Sequence, residues 1–145
     1  MNYQHSYHAG NFADVFKHIV LSLVLQAMSA KSTPYTYLDT HAGAGKYDLP
    51  SSGEHTQGIE RLWAQRQAWP ELADYWSVIA DINAADSPRC YPGSPALAHA
   101  LARPQDSITL IEAHPDVARL LKAQWGKDAR VHVHQRDGYE ALKAL

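Results

Sequence analysis

Three acids, Asp39, Glu112 and Asp137, each stand where a short apolar or β-branched run ends. The first run, Tyr35–Asp39, breaks into Thr40-His41-Ala42-Gly43-Ala44-Gly45. A strand entering a glycine turn lets the backbone approach a ligand closely, and in open α/β sheets such turns lie at the carboxyl ends of strands, where nucleotide-like ligands bind. An acid closing the second strand suits two ribose hydroxyls. A carboxylate after the third suits the exocyclic amine of adenine, an acceptor facing a donor. Two nucleotide motifs are excluded. A phosphate-cradling G-x-x-x-x-G-K-[ST] would need glycine at Thr40 and a hydroxyl of Ser or Thr at Tyr47. A dinucleotide G-x-G-x-x-G would need its third glycine at Asp48.

Two readings of the turn remain: the small-residue loop of S-adenosylmethionine-dependent methyltransferases, and an ordinary turn between strand and helix. In a plain dinucleotide unit the ribose acid lies about 20 residues past the glycine loop. Glu112 lies much farther on, which an inserted helical subdomain at 48–101 accounts for. His5, His8, His18 and His41 match neither H-E-x-x-H nor a zinc Cys/His pattern. No metal is expected, and these histidines read better as hydrogen-bonding groups around a cofactor. Cys90 has no histidine near it in sequence, so no Cys/His nucleophile pair is expected. Tyr3 and Tyr7 alternate with His5 and His8, and Lys17 and Lys46 follow. Such interleaving fits either nucleic-acid contact or a polar N-terminus. Trp63, Trp69 and Trp76 fall at near-helical spacing and read as packing.

The elements that must position these groups alternate. Asn11–Met28 has helical periodicity, with Asn11 as N-cap and Asp14 three residues on. Its stripe of Phe12, Phe16, Ile19, Val20, Leu23, Val24 and Ala27 is expected to face the core, with Asp14, Lys17, His18, Ser22 and Gln26 opposite. Asp48–Gly58 reads as a surface connection, and Ile59–Gln67 and Pro70–Asn83 as helices. Ser94 is expected to cap a helix over Ala96–Ala102. Strands at Ser107–Glu112 and Arg130–Gln135 flank a helix that starts near His114-Pro115-Asp116 and stops at Gly126. This alternation predicts a parallel, doubly wound α/β sheet. Only three strands are evident and the last helix, Tyr139–Leu145, ends the sequence, so 1–145 is expected to be the N-terminal part of a larger domain.

Composition narrows the classes. The 145 residues carry a formal net charge of -2, so no global basic field announces a polyanionic partner. A single cysteine excludes an internal disulfide and fits a reducing compartment. The N-terminus is polar from the start and no apolar run approaches the ~20 residues of a membrane span, so a cytoplasmic, soluble chain is expected.

The opening YQHSYHAGNFADVFKH closely resembles the N-terminal motif of the RlmJ family of 23S ribosomal RNA adenine-N6 methyltransferases, and YLDTHAGAGKYDL resembles that family's first cofactor motif. YPGSPALA, LIEAHP and QRDGYEAL are similar to its further cofactor segments, in the same order, so the resemblance runs from Tyr3 to about Leu142. It implies a Rossmann-like methyltransferase fold, S-adenosyl-L-methionine as cofactor and 23S ribosomal RNA as partner. The implied cofactor contacts are His18, His41, Ser94, Glu112, Asp137 and Gly138. Glu112 would hold the ribose hydroxyls and Asp137 would meet the adenine amine. The family's RNA contact maps to Tyr3, and Lys17 and Lys46 are added as candidate phosphate or carboxylate partners. The family's catalytic Asp-Pro-Pro-Tyr occurs nowhere in this chain. No catalytic residue is therefore assigned here, and the chain is expected to be a truncated, cofactor-binding half that is inactive alone.

Overall fold

A computed structural model describes residues 5–84 and 87–144. The chain forms two compact units. One comprises residues up to Val24 with Lys46–Pro92, the other Leu25–Gly45 with Gly93–Leu145.

The second unit holds the parallel sheet. β1 (Thr36–Asp39), β4 (Ser107–Glu112) and β5 (Val131–Gln135) lie in the order β1-β4-β5, with Asp39 opposite Leu110 and Glu112 opposite Gln135. Consecutive parallel strands need a crossover, and α6 (Pro115–Trp125) supplies the one between β4 and β5. Pro115 opens this helix, where its missing N–H costs nothing. Ile108, Leu110, Leu121, Trp125 and Val131 bury together, with Ala96 from α5 (Ser94–Leu101) packed against them. The strands therefore alternate, one face on this core and one away from it. α7 (Gly138–Leu142) follows β5.

The first unit contains α1 (His5–His8), most of α2 (Phe12–Ser29), α3 (Ile59–Trp63) and α4 (Ala73–Ile82). It also contains a small antiparallel ladder of β2 (Lys46–Asp48) with β3 (Cys90–Pro92). The sequence reading lacks this ladder, because three-residue strands carry too little alternation to register. Asn83 locks it: Oδ1 accepts from the backbone N–H groups of Arg89 and Cys90, and Nδ2 donates to the carbonyls of Ile79 and Cys90. α5 belongs to the second unit, with the sheet.

α2 reverses its expected orientation. Asn11 does cap it, accepting from the Asp14 N–H at 2.9 Å. Yet Asp14, His18 and Ser22 are buried, while Phe12 is 77% and Phe16 72% exposed, with Val20, Leu23 and Val24 also exposed. The buried polar stripe is partnered. Asp14 accepts from the Gly10 N–H and from Lys17 Nζ. Ser22 Oγ donates to the His18 carbonyl, and His18 Nδ1 lies 2.9 Å from the Tyr91 hydroxyl. Tyr91 in turn lies 3.0 Å from the Tyr75 hydroxyl, and burial pushes both phenols above their ordinary range. α2 is also long and apolar enough, by length and composition, to cross a membrane, which corrects the expectation that no such run exists. Its buried, hydrogen-bonded polar stripe is that of a helix packed within protein.

Candidate cofactor site

The site is built at the carboxyl ends of the three parallel strands. After β1 the Ala42 N–H donates to the Ile111 carbonyl at 3.0 Å, which carries the loop one step further along β4. The chain then turns at Gly43, whose φ of 63° lies in the left-handed region that a side chain disfavours. The Gly43 N–H donates to Glu112 Oε2 at 2.8 Å, and the His114 N–H donates to Glu112 Oε1 at 2.8 Å. One carboxylate thus ties the β1 loop to the β4 loop. Each of its oxygens keeps acceptor capacity, since an ionised carboxylate offers about four lone-pair sites.

Asp39 is the second organising group. Its Oδ2 accepts from the Tyr37 hydroxyl at 2.8 Å and from Ser94 Oγ at 2.6 Å, and its Oδ1 accepts from the His41 N–H at 3.1 Å. Burial, with the Asp39 charge beside it, pushes the Tyr37 phenol well above its ordinary range, so it stays a donor. Ser94 does not cap α5, contrary to expectation: Gly93 holds the N-cap position, and the serine hydroxyl is drawn to Asp39 instead.

The third strand end closes against the first. A Cβ on Gly138 would stand 2.1 Å from the Thr40 carbonyl oxygen and 3.1 Å from His41 Cε1. Only glycine allows that approach. Asp137 caps α7, its Oδ1 accepting from the N–H groups of Tyr139 (2.9 Å) and Glu140 (3.0 Å). This leaves Asp137 Oδ2 without a hydrogen bond from any described residue. Tyr139 sets its ring edge-on to His41 at 5.1 Å. Gly138→Ala is expected to lower stability by about 1–3 kcal/mol, because the blocking atom is backbone and cannot rotate away. An unchanged urea midpoint would show that α7 does not seat on the β1 loop.

The structure therefore brings His41, Ser94, Glu112, Asp137 and Gly138 into one network around Asp39 and Gly43. His18 lies in the first unit, buried against Tyr91. Lys17 pairs with Asp14 at 2.9 Å, and Lys46 is exposed on β2. Tyr3 lies outside the described residues. Tyr37, Tyr91 and Tyr139 are absent from the sequence-based site. Of these only Tyr37 had a signal: it stands two residues before Asp39, on the same side of a strand. The donor set fits a nucleoside. Acceptors stand at the ends of β4 and β5 beside a glycine turn, and among the described residues no three of His, Cys, Asp and Glu group as metal ligands.

Known proteins with similar sequences agree with one another. The family model described as ribosomal RNA large subunit methyltransferase D, RlmJ, matches residues 32–145. Ribosomal RNA large subunit methyltransferase J of Escherichia coli (strain K12) is 46% identical over 149 residues, covering 99% of this chain and 53% of that protein. Its namesake from Haemophilus influenzae is 41% identical over 150 residues, again covering 99% and 53%. A solved structure from Legionella pneumophila, of the family designated DUF519, superposes with a TM-score of 0.88 at 41% identity, covering 95% of this chain and 52% of that one. The chain spans about half the length of the curated relatives it matches.

Proposed function

We propose, on the premise that this chain belongs to the RlmJ family of ribosomal RNA large subunit methyltransferases, that it is the cofactor-holding half of an enzyme methylating adenine N6 in 23S ribosomal RNA. The observation that carries the reading is Glu112, held at the end of β4 by the Gly43 and His114 N–H groups with lone pairs to spare. In this reading Glu112 accepts from both ribose hydroxyls of S-adenosylmethionine, and Asp137 Oδ2 accepts from the adenine amine. His41, Ser94 and Gly138 shape the β1 loop around the nucleoside, and His18 is a further contact. The cofactor, when bound, supplies an electrophilic methyl group on sulfonium sulfur. This chain's residues bind and orient it, since positioning supplies much of the rate in such a transfer. The base would have to be extruded or single-stranded to reach that methyl, and Tyr3 is the proposed contact on the RNA side. The acceptor-side Asp-Pro-Pro-Tyr is not in this sequence. The exposed apolar stripe of α2 supports assigning the full activity to a polypeptide of the relatives' length. Residues 48–101 are read as a helical insertion between the first two strands of the sheet, and the enzyme as cytoplasmic.

Calorimetric titration with S-adenosylhomocysteine tests the reading, and one site per chain is expected. Absence of binding both by this chain and by a polypeptide of the relatives' length would sink it. A second reading, an interaction module that completes its sheet with a partner chain, draws on the same stripe and on β1, which pairs only with β4 among the described residues. A light-scattering mass of one chain at every concentration would count against it.

A further inference from the structure

β5 is the outer strand of the three-stranded sheet, and its free side is concave and cationic. The end of α6, the bend after it and β5 enclose about 490 Å³, lined by Lys122, Lys127, His132 and His134 around Val131 and Val133. His132 and His134 alternate along the strand and so project from one face, and both are exposed. No carboxylate lines the cavity, and among the described residues neither lysine has an acidic partner. The nearest acid in sequence, Asp128, is already neutralised. Its Oδ2 accepts from Arg130 Nη2 at 2.7 Å and lies 2.9 Å from His99 Nε2, and the Arg130 guanidinium holds its carboxyl well below the usual range. The chain as a whole carries net charge -2, so this cluster is local and not part of a general basic surface.

We propose that this cavity holds phosphates of the RNA backbone, as an anchor separate from the nucleoside site at the strand ends. The inference rests on the RNA-methyltransferase reading above. Four cationic or N–H-donating side chains suit phosphate oxygens, and the lining has no Phe, Tyr or Trp ring as a broad stacking platform for a base. In a doubly wound sheet the later strands are added beside the first strand, not the third. The edge of β5 thus stays open in a longer member of the family. Contacts of this kind position RNA without reading its sequence.

The test is fluorescence anisotropy of a labelled single-stranded RNA titrated with the full 145-residue chain over a series of salt concentrations. Each phosphate neutralised contributes about 0.7 to the slope of log affinity against log salt. Lys122→Gln/Lys127→Gln should therefore flatten the slope by roughly 1.4, equally for unrelated RNA sequences, while S-adenosylhomocysteine binding is unchanged. Both lysines are exposed, so the variant should fold. Lys31→Gln/Lys143→Gln, a pair of exposed lysines outside the cavity, should leave the slope in place. An unchanged slope in the first pair, or equal flattening in both, would overturn the anchor and leave the cofactor reading standing. Lack of RNA binding by the unmodified chain at low salt would also overturn it. Tighter binding of poly-glutamate of matched charge would reassign the cavity to an acidic protein and overturn it likewise.

Discussion

Glu112→Ala is expected to weaken S-adenosylhomocysteine binding about a hundredfold while the sheet remains folded. The carboxylate has two duties. It accepts the Gly43 and His114 N–H groups at 2.8 Å each, which fixes the loops on either side of the ligand. In the proposed complex it also accepts two ribose hydroxyls. Hydrogen bonds to a charged group contribute about 1.5–3 kcal/mol each, and roughly 3 kcal/mol for the ribose pair is a hundredfold in dissociation constant. The fold should tolerate the loss, since Glu112 is only half-buried and water can reach the two backbone donors. Glu112→Gln separates the duties. The amide keeps one acceptor oxygen and turns its NH2 toward a backbone donor, so an intermediate loss of about tenfold is expected. Alanine and glutamine variants that bind as tightly as the parent would remove Glu112 from the ribose.

The place of Glu112 at a strand end was legible because strand-end acids leave a local mark. Ser107–Glu112 is an apolar run ending in a charge, and the structure places β4 over those residues. That the sheet is parallel follows from the alternation of strands with helices, whereas the order β1-β4-β5 is set by pairings distant in sequence. α2 shows where such reasoning stops. Periodicity correctly groups Phe12, Phe16 and Val20 on one face and Asp14, His18 and Ser22 on the other, but it does not say which face is covered. That choice is made by residues distant in sequence: the Tyr91 and Tyr75 hydroxyls give His18 a buried polar partner that no local pattern reveals. Ser94 went astray for the same reason. At a helix start its hydroxyl reads as a cap, yet Asp39, 55 residues earlier, outcompetes the backbone with a charged acceptor at 2.6 Å.

The largest expected effect on stability lies away from the ligand. Asp106 is buried at the turn before β4, and both its oxygens are saturated. Oδ1 accepts from the Tyr35 N–H, just ahead of β1, and from Arg103 Nη2; Oδ2 accepts from the Arg103 N–H and Nε. The Arg103 fork then reaches on to the carbonyls of Ser29, Lys31 and Thr33, so one ion pair joins the end of α2, the entry to β1 and the entry to β4. Breaking a buried pair by removing one partner costs about 3–5 kcal/mol. Asp106→Ala should fall at the lower end, about 3 kcal/mol, because the Arg103 side chain keeps 20% of its surface in water and can rehydrate. The Arg103 guanidinium holds the Asp106 carboxyl well below the usual carboxylate range. A depressed folded-state value means that the stabilisation is complete above the unfolded value of about 3.9 and is lost as pH falls through the folded one. Asp106→Asn has nothing to titrate at that position. The stability gap between parent and Asp106→Asn, measured by urea unfolding, should therefore be constant from neutral pH to about pH 5 and shrink below about pH 4. Other carboxylates that Arg residues hold low, Asp128 among them, titrate alike in both proteins and cancel from the difference. A gap that stayed constant into acid would mean that the Asp106 charge contributes nothing and that its four hydrogen bonds serve only as neutral geometry.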